Sequence, residues 1–215
     1  MQVINSKDLK QNYLTALIYA PPGMGKTTLL GMLPPKTLII DVDNGTNVLS
    51  KDFDADIVKL SDDLHEFPEI IKELQTKCTY KNVAIDSLSE LERSMLAYYG
   101  RIGNNNGVPS IDSYNRVDYK ILNYCRMLRT LNANIIFTAW EKQRDITTFT
   151  GEKYSQAYPL LRDKIADNIC GLCDIVGRII NDGKERVINL ESSMTAIAKD
   201  RIFKRKSCKF EEVIK

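Results

Sequence analysis

Leu17 to Leu30 reads L-I-Y-A-P-P-G-M-G-K-T-T-L-L, an apolar run that breaks into a glycine-containing loop and resumes with helical spacing. A bound triphosphate needs backbone N–H donors turned inward, the start of a helix, a mobile cation and a hydroxyl for magnesium. This stretch offers all four. Gly23 and Gly25 let the backbone curl around phosphate oxygens, Lys26 reaches for the β- and γ-phosphates, and Thr27 is set to ligate Mg²⁺. The expected ATP-binding residues are Pro22, Gly23, Met24, Gly25, Lys26, Thr27 and Thr28. Ala20 takes the place of the first glycine in G-x-x-x-x-G-K-[ST], where alanine serves if φ stays negative.

The chain around this loop has 215 residues, 43% of them hydrophobic, enough for one substantial core. A single domain over 1–215 is expected, with 1–13 as a lead-in and 199–215 as a basic segment. The formal charge of +2 is unevenly laid out, because Lys199, Arg201, Lys204, Arg205, Lys206 and Lys209 stand against one Asp200. Such a segment either faces a polyanion or is simply solvated. Cysteines 78, 125, 170, 173 and 208 are odd in number and lack the dense spacing of a disulfide scaffold, which fits a cytoplasmic protein. Cys170-Gly-Leu-Cys173 reads as buried structural thiols rather than zinc ligands, since no second C-x-x-C accompanies it. No window approaches 18 uninterrupted apolar residues and the first residues are polar, so neither a signal peptide nor a membrane span is expected.

Strand and helix patterns alternate on both sides of the loop. Leu14 to Tyr19 predicts a strand, Thr27 to Met32 a short helix ended by Pro34-Pro35, and Thr37 to Val42 a second strand running into the turn Asp43-Asn44-Gly45. Asp56 to Leu60 is a further short strand, and Asp62 to Lys77 an amphipathic helix. Asn82 to Asp86 is a buried strand, expected beside the phosphate-loop strand, and Ser87 to Tyr99 continues as helix. Gly100 to Ser113 reads as a long loop, Tyr114 to Leu131 as helix and Asn134 to Thr138 as the next strand. Residues 141 to 157, E-K-Q-R-D-I-T-T-F-T-G-E-K-Y-S-Q-A, read as a second polar loop with cations and rings interleaved. Leu160 to Cys170 is helix, and Asp174 to Ile180 and Glu185 to Leu190 form a hairpin about Asn181-Asp182-Gly183-Lys184. There is no internal repeat or low-complexity segment. The fold class is α/β, a mostly parallel twisted sheet flanked by helices and closed by a C-terminal antiparallel hairpin.

Three acids end strands at the carboxyl edge, where ligands bind in open α/β sheets. Asp86 is placed to hold Mg²⁺ with Thr27. Asp41 and Asp43 leave the second strand, and because side chains alternate along a strand only one should face the site. Asp43 is preferred as the base that deprotonates water.

The order of these pieces resembles the RecA-like recombinase core, and within it the small phage ATPases related to RecA that anneal single strands. The likeness spans nearly the whole chain. It implies that Asp43, last acid of Asp41-Val42-Asp43, is the catalytic base, and that Asp86-Ser87-Leu88 is the magnesium strand's exit. The family's polar sensor falls on Trp140, which makes Thr138 or Glu141 its replacement. Ala198-Lys199-Asp200-Arg201 resembles the K-x-R element that reaches into a neighbouring protomer's nucleotide, implying catalytic roles for Lys199 and Arg201 in trans and a homo-oligomeric ring or filament. The resemblance also makes 100–113 and 141–157 the DNA loops. Lys142, Arg144, Phe149, Lys153 and Tyr154 in the second supply the cations and rings that single-stranded DNA needs. A single-strand binding protein is a further implied partner. The expected activity is DNA-dependent ATP hydrolysis with Mg²⁺ in phage-type recombination. The competing readings are a nucleotide-gated DNA-binding or loader module with little hydrolysis, and a small-molecule P-loop kinase.

Overall fold

The computed structural model describes residues 5, 13–49, 53–61, 64–181, 183 and 185–215. Most of the expected lead-in 1–13, the first two residues of the helix expected from Asp62, and Asp182 and Lys184 of the hairpin turn lie outside the described residues. The elements run β1 (Thr15–Ala20), α1 (Lys26–Gly31), β2 (Thr37–Asp41), β3 (Ala55–Lys59), α2 (Glu66–Thr76), β4 (Asn82–Asp86), α3 (Leu88–Ile102) and α4 (Ile111–Leu128). They continue through β5 (Asn134–Thr147), β6 (Lys153–Pro159), α5 (Asp163–Leu172), β7 (Ile175–Asn181), β8 (Arg186–Asn189), β9 (Lys199–Asp200) and β10 (Ser207–Cys208).

The sheet order is β10-β8-β7-β1-β5-β4-β2-β3. From β7 to β3 all neighbours are parallel, and β8 and β10 add the antiparallel end. This is the RecA-like P-loop architecture the sequence implies. The period of two along β1 sorts its side chains between two cores. Leu17 and Tyr19 join the layer made with α2 to α5, while Ala16, Ile18 and Ala20 join Leu29 and Leu30 of α1 and Phe210 and Val213 near the C-terminus. Gly177 of β7 lets these layers close up, because a Cβ there would lie 2.3 Å from Ile188 and 3.1 Å from Ile18.

Three expectations need correction. β4 does not lie beside β1, because β5 is inserted between them. β1, β2, β4 and the first half of β5 are all buried on both faces, so apolar pattern alone cannot rank their neighbours. The loop expected over Gly100 to Ser113 shrinks to 103–110. α3 runs on to Ile102, and Ser110 starts α4 through a reciprocal cap with Ser113. The polar loop expected over 141–157 is a hairpin: β5 continues as a 14-residue strand and returns as β6, with Arg144 opposite Gln156 and Ile146 opposite Tyr154. Its turn uses Gly151 at φ 86. Once β5 leaves the core its exposure alternates residue by residue, a strand signature that polar composition conceals.

Candidate functional site

The turn after β1 forms because Ala20 ends the strand without a positive φ and Pro21-Pro22 then forbid its continuation. Gly23 (φ 78) and Gly25 (φ 93) take the left-handed region, so the chain reverses within a few residues. Leu29 and Leu30 anchor the following turn in the core. Lys26 Nζ bends back to donate to the carbonyls of Ala20 and Pro21, 3.0 Å each. Burial lowers its pKa, and the carboxylates of Asp86 and Asp43 work against that shift.

Asp86 reaches the loop across the intervening strand. Thr138 Oγ1 of β5 donates to its Oδ1 at 2.5 Å, and Thr27 Oγ1 donates to its Oδ2 at 2.6 Å. Burial raises the pKa of Asp86, and these two hydroxyls oppose the rise. Asp41 is fully buried and turned the other way, accepting from the backbone of Gly45 and Thr46 and from the Thr46 hydroxyl. It holds the turn after β2. Asp43, two residues on, faces the loop with its Oδ1 buried and unpartnered. Burial and then the neighbouring Asp86 and Asp41 push its pKa up to about 7. Of the two acids leaving β2, the one facing the site is thus Asp43, as expected.

These groups meet around a cavity of about 370 Å³ at the carboxyl edge of the sheet, a size that suits a small-molecule ligand. Six of the seven expected nucleotide-binding residues line it; Met24 instead packs on the apolar layer beneath. Trp140 also lines it, its ring covered by the Arg93 guanidinium at 4.5 Å. Of the two candidates to replace a polar sensor there, Thr138 touches Asp86, while Glu141 is held in a bidentate pair by Arg178 at 2.8 and 2.9 Å. Arg186 of β8 is a lining residue that the sequence did not single out. The hairpin was legible, but not that its turn end reaches the loop. A second cavity, of about 450 Å³ between α3 and α4, carries no comparable group, and its Arg116 is paired with Asp112.

The donor set fits magnesium. Thr27 and Asp86 offer hydroxyl and carboxylate oxygens, and Asp43 has an orphaned oxygen nearby. Among the described residues no cluster of three or more His, Cys, Asp or Glu could hold a metal unaided. That matches an ion held jointly with substrate phosphates. The cysteines are all free, and those at 125, 170, 173 and 208 are buried. No helix of the described residues is long and apolar enough to cross a membrane.

The remaining expected site residues lie elsewhere. Lys199 pairs with Val176 near the start of β7, and Arg201 donates to Asp174 at 3.1 Å, so both sit toward the end of the sheet opposite the loop. Burial and then Arg201 lower the pKa of Lys199. The expected basic tail is folded back on itself: Arg205 binds the buried Asp200 carboxylate at 2.8 Å and the carbonyls of Glu212 and Lys215. On the hairpin, Lys142 is paired with Asp163 and Arg144 with Asp167, while Lys153 and Phe149 are exposed and Tyr154 is half-buried.

A family model described as an AAA domain matches residues 12–202. The chain belongs to that family. It is therefore a P-loop ATPase, and the cavity at the glycine loop is where such a chain takes its nucleotide. Among solved structures it is similar to the ATPase domain of a helicase, with 15% identity and a TM-score of 0.48 over 88% of this chain and 78% of that one. It is also similar to the KaiC-like protein PH0186 from Pyrococcus horikoshii OT3, with 16% identity and a TM-score of 0.45 over 82% and 77%. No curated protein matches.

Proposed function

We propose that this AAA domain is a single-stranded-DNA-stimulated ATPase of phage-type recombination, promoting annealing or strand exchange as a homo-oligomer with nucleotide at the protomer interface. The observation that carries the hydrolytic part is the unpartnered, half-buried Asp43 facing Thr27 and Lys26 across the cavity. A base with a pKa near the working pH transfers protons efficiently, and Asp43 at about 7 meets that condition. Water attacks the γ-phosphorus as its proton passes to Asp43; the bond from γ-phosphorus to the bridging oxygen breaks, leaving ADP. Lys26 exchanges the carbonyls of Ala20 and Pro21 for phosphate oxygens. Thr27 and Asp86 would hold magnesium, which neutralises phosphate charge when bound. Thr138, bonded to Asp86, takes the sensor's place at the end of the core part of β5. Pro22, Gly23, Gly25 and Thr28 complete the cradle.

For DNA, the support is the hairpin that β5 and β6 raise beyond the sheet, with Phe149 fully exposed at its tip and Lys153 exposed beside it. Rings and cations so presented suit single strands. Lys142, Arg144 and Tyr154 form the stalk. Lys199 and Arg201, toward the far end from their own loop, are available to a neighbouring protomer's nucleotide. A single-strand binding protein is the expected companion on DNA.

A nucleotide-gated module with slow turnover is the second reading, favoured by the apolar Trp140 at the sensor position. ATP turnover with and without single-stranded DNA, with assembly state recorded alongside, separates the two. DNA-stimulated turnover with concurrent assembly supports the ATPase; binding without turnover supports the gate; phosphate transfer to small acceptors without DNA stimulation contradicts both.

A further inference from the structure

Arg186 opens β8 opposite Asn181, the last residue of β7, and so stands at the same sheet edge as the glycine loop. Its guanidinium comes close to that loop: a Cβ built on Gly25 would lie 2.9 Å from Arg186 Nη1 and 3.3 Å from the Phe210 ring. Phe210 is buried and supports the loop as part of the apolar layer. Arg186 is exposed and lines the cavity itself.

Other arginines of this region are committed. Arg178 is bound to Glu141, Arg201 to Asp174 and Arg205 to Asp200. Arg186 has no hydrogen bond or ion pair among the described residues, which leaves an unneutralised guanidinium at a cavity that also holds Lys26. Two cations converging on one cavity repel each other until an anion joins them.

Sheet order tells which part of the ligand Arg186 meets. β1 delivers the loop from the middle; β4 and β2, carrying Asp86 and Asp43, lie on one side of it, and β7 and β8 on the other. Thr27 and Asp86 define the metal-bound end of a triphosphate. The rest of the phosphate chain then extends away from the carboxylates, toward β8.

Resting on the nucleotide reading of this cavity, we propose that Arg186 is a nucleotide-contacting residue in cis, donating to phosphate oxygens at the nucleoside end of the chain. The C-terminal hairpin thereby becomes part of the ATP site. A planar guanidinium matches phosphate oxygens in a bidentate fork.

The test is titration of the full chain with fluorescent ATP, and with inorganic tripolyphosphate as competitor, in wild type, Arg186→Ala, Arg186→Glu and Lys26→Ala. Arg186→Ala is expected to weaken both ligands about tenfold, the loss of one charge-assisted bond, and Arg186→Glu to weaken both further. The ligand-free melting temperatures of the Arg186 variants should match wild type, since Arg186 has no protein partner to lose among the described residues. If wild type binds, Lys26→Ala does not, and Arg186→Ala binds like wild type, the inference is overturned while the nucleotide reading stands. Weakened ATP with unchanged tripolyphosphate overturns it too, because the contact would then be to the nucleoside. A wild-type chain that binds neither ligand overturns both.

Discussion

The glycine-loop cavity and the β5–β6 hairpin beside it draw on the same residue types and use them in opposite ways. In the hairpin nearly every charge near the core is matched: Lys142 with Asp163, Arg144 with Asp167, Glu141 with Arg178. Arg144 also stacks on Tyr158 at 4.8 Å, and the Tyr158 hydroxyl donates to Asp167 at 2.6 Å. In the cavity, Lys26 finds only carbonyls, Asp43 keeps an orphaned oxygen and Arg186 has no partner among the described residues. A half-buried charge without a partner costs stability. Its persistence marks a place that a ligand completes, whereas matched pairs mark a place that is finished as architecture.

The largest effect should come from the cavity's mobile lysine. Lys26→Ala is expected to lower ATP turnover by about two orders of magnitude or more, a typical consequence of removing one preorganised charge from a transferring group. Circular dichroism should show the fold intact. Turnover within about threefold of wild type would remove Lys26 from the chemistry and dissolve the contrast.

Next comes Gly25→Ala, which forces a side chain into φ 93 and against Arg186 and Phe210. A left-handed non-glycine residue costs about 1–2 kcal/mol, so both thermal stability and nucleotide affinity should fall. Gly183→Ala, at φ 92 with open space around it, should cost stability alone.

A smaller effect separates the hairpin's stalk from its tip. Arg144→Ala and Asp167→Ala should each lower the melting temperature, and a double-mutant cycle should give a coupling of about 0.5–1 kcal/mol for this largely exposed pair. Phe149→Ala should leave melting unchanged and weaken single-stranded DNA binding by about 1–3 kcal/mol if a base stacks on that ring. The reverse pattern would mean that the stalk, not the tip, meets DNA.

The subtlest test is pH. Asp43 titrates near 7 in the fold against an ordinary value of 3.8, so between those values the folded chain holds the extra proton and stability falls as pH rises. Asp43→Asn should therefore raise the ligand-free melting temperature at about pH 8 more than at about pH 4. An equal change at both would show that burial of Asp43 carries no electrostatic cost.

Much of this was legible in advance. The loop announced itself because Gly23, Gly25, Lys26 and Thr27 must sit in that order to cradle phosphate, and the strand-ending acids followed from period two. Strand order was not legible, since β1, β2, β4 and the core half of β5 are buried on both faces and nothing local ranks their neighbours. The hairpin was hidden because polar composition outweighed the alternation in E-K-Q-R-D-I-T. Ion pairing was also hidden: Lys142 and Arg144 look like free cations until α5 brings Asp163 and Asp167 against them. Arg186 shows the same blindness in the other direction, an ordinary strand residue until β7 and β8 carry it to Gly25.

The most direct measurement is the melting temperature of wild type and Lys26→Ala with and without Mg²⁺ and ATP. Ligand at about a hundredfold excess over Kd stabilises by about 2.7 kcal/mol, which for a chain of this size is a rise of several degrees. That rise is expected in wild type, and its loss in Lys26→Ala. No rise in wild type, or an equal rise in both, would contradict the claim that the cavity's unmatched charges await a nucleotide.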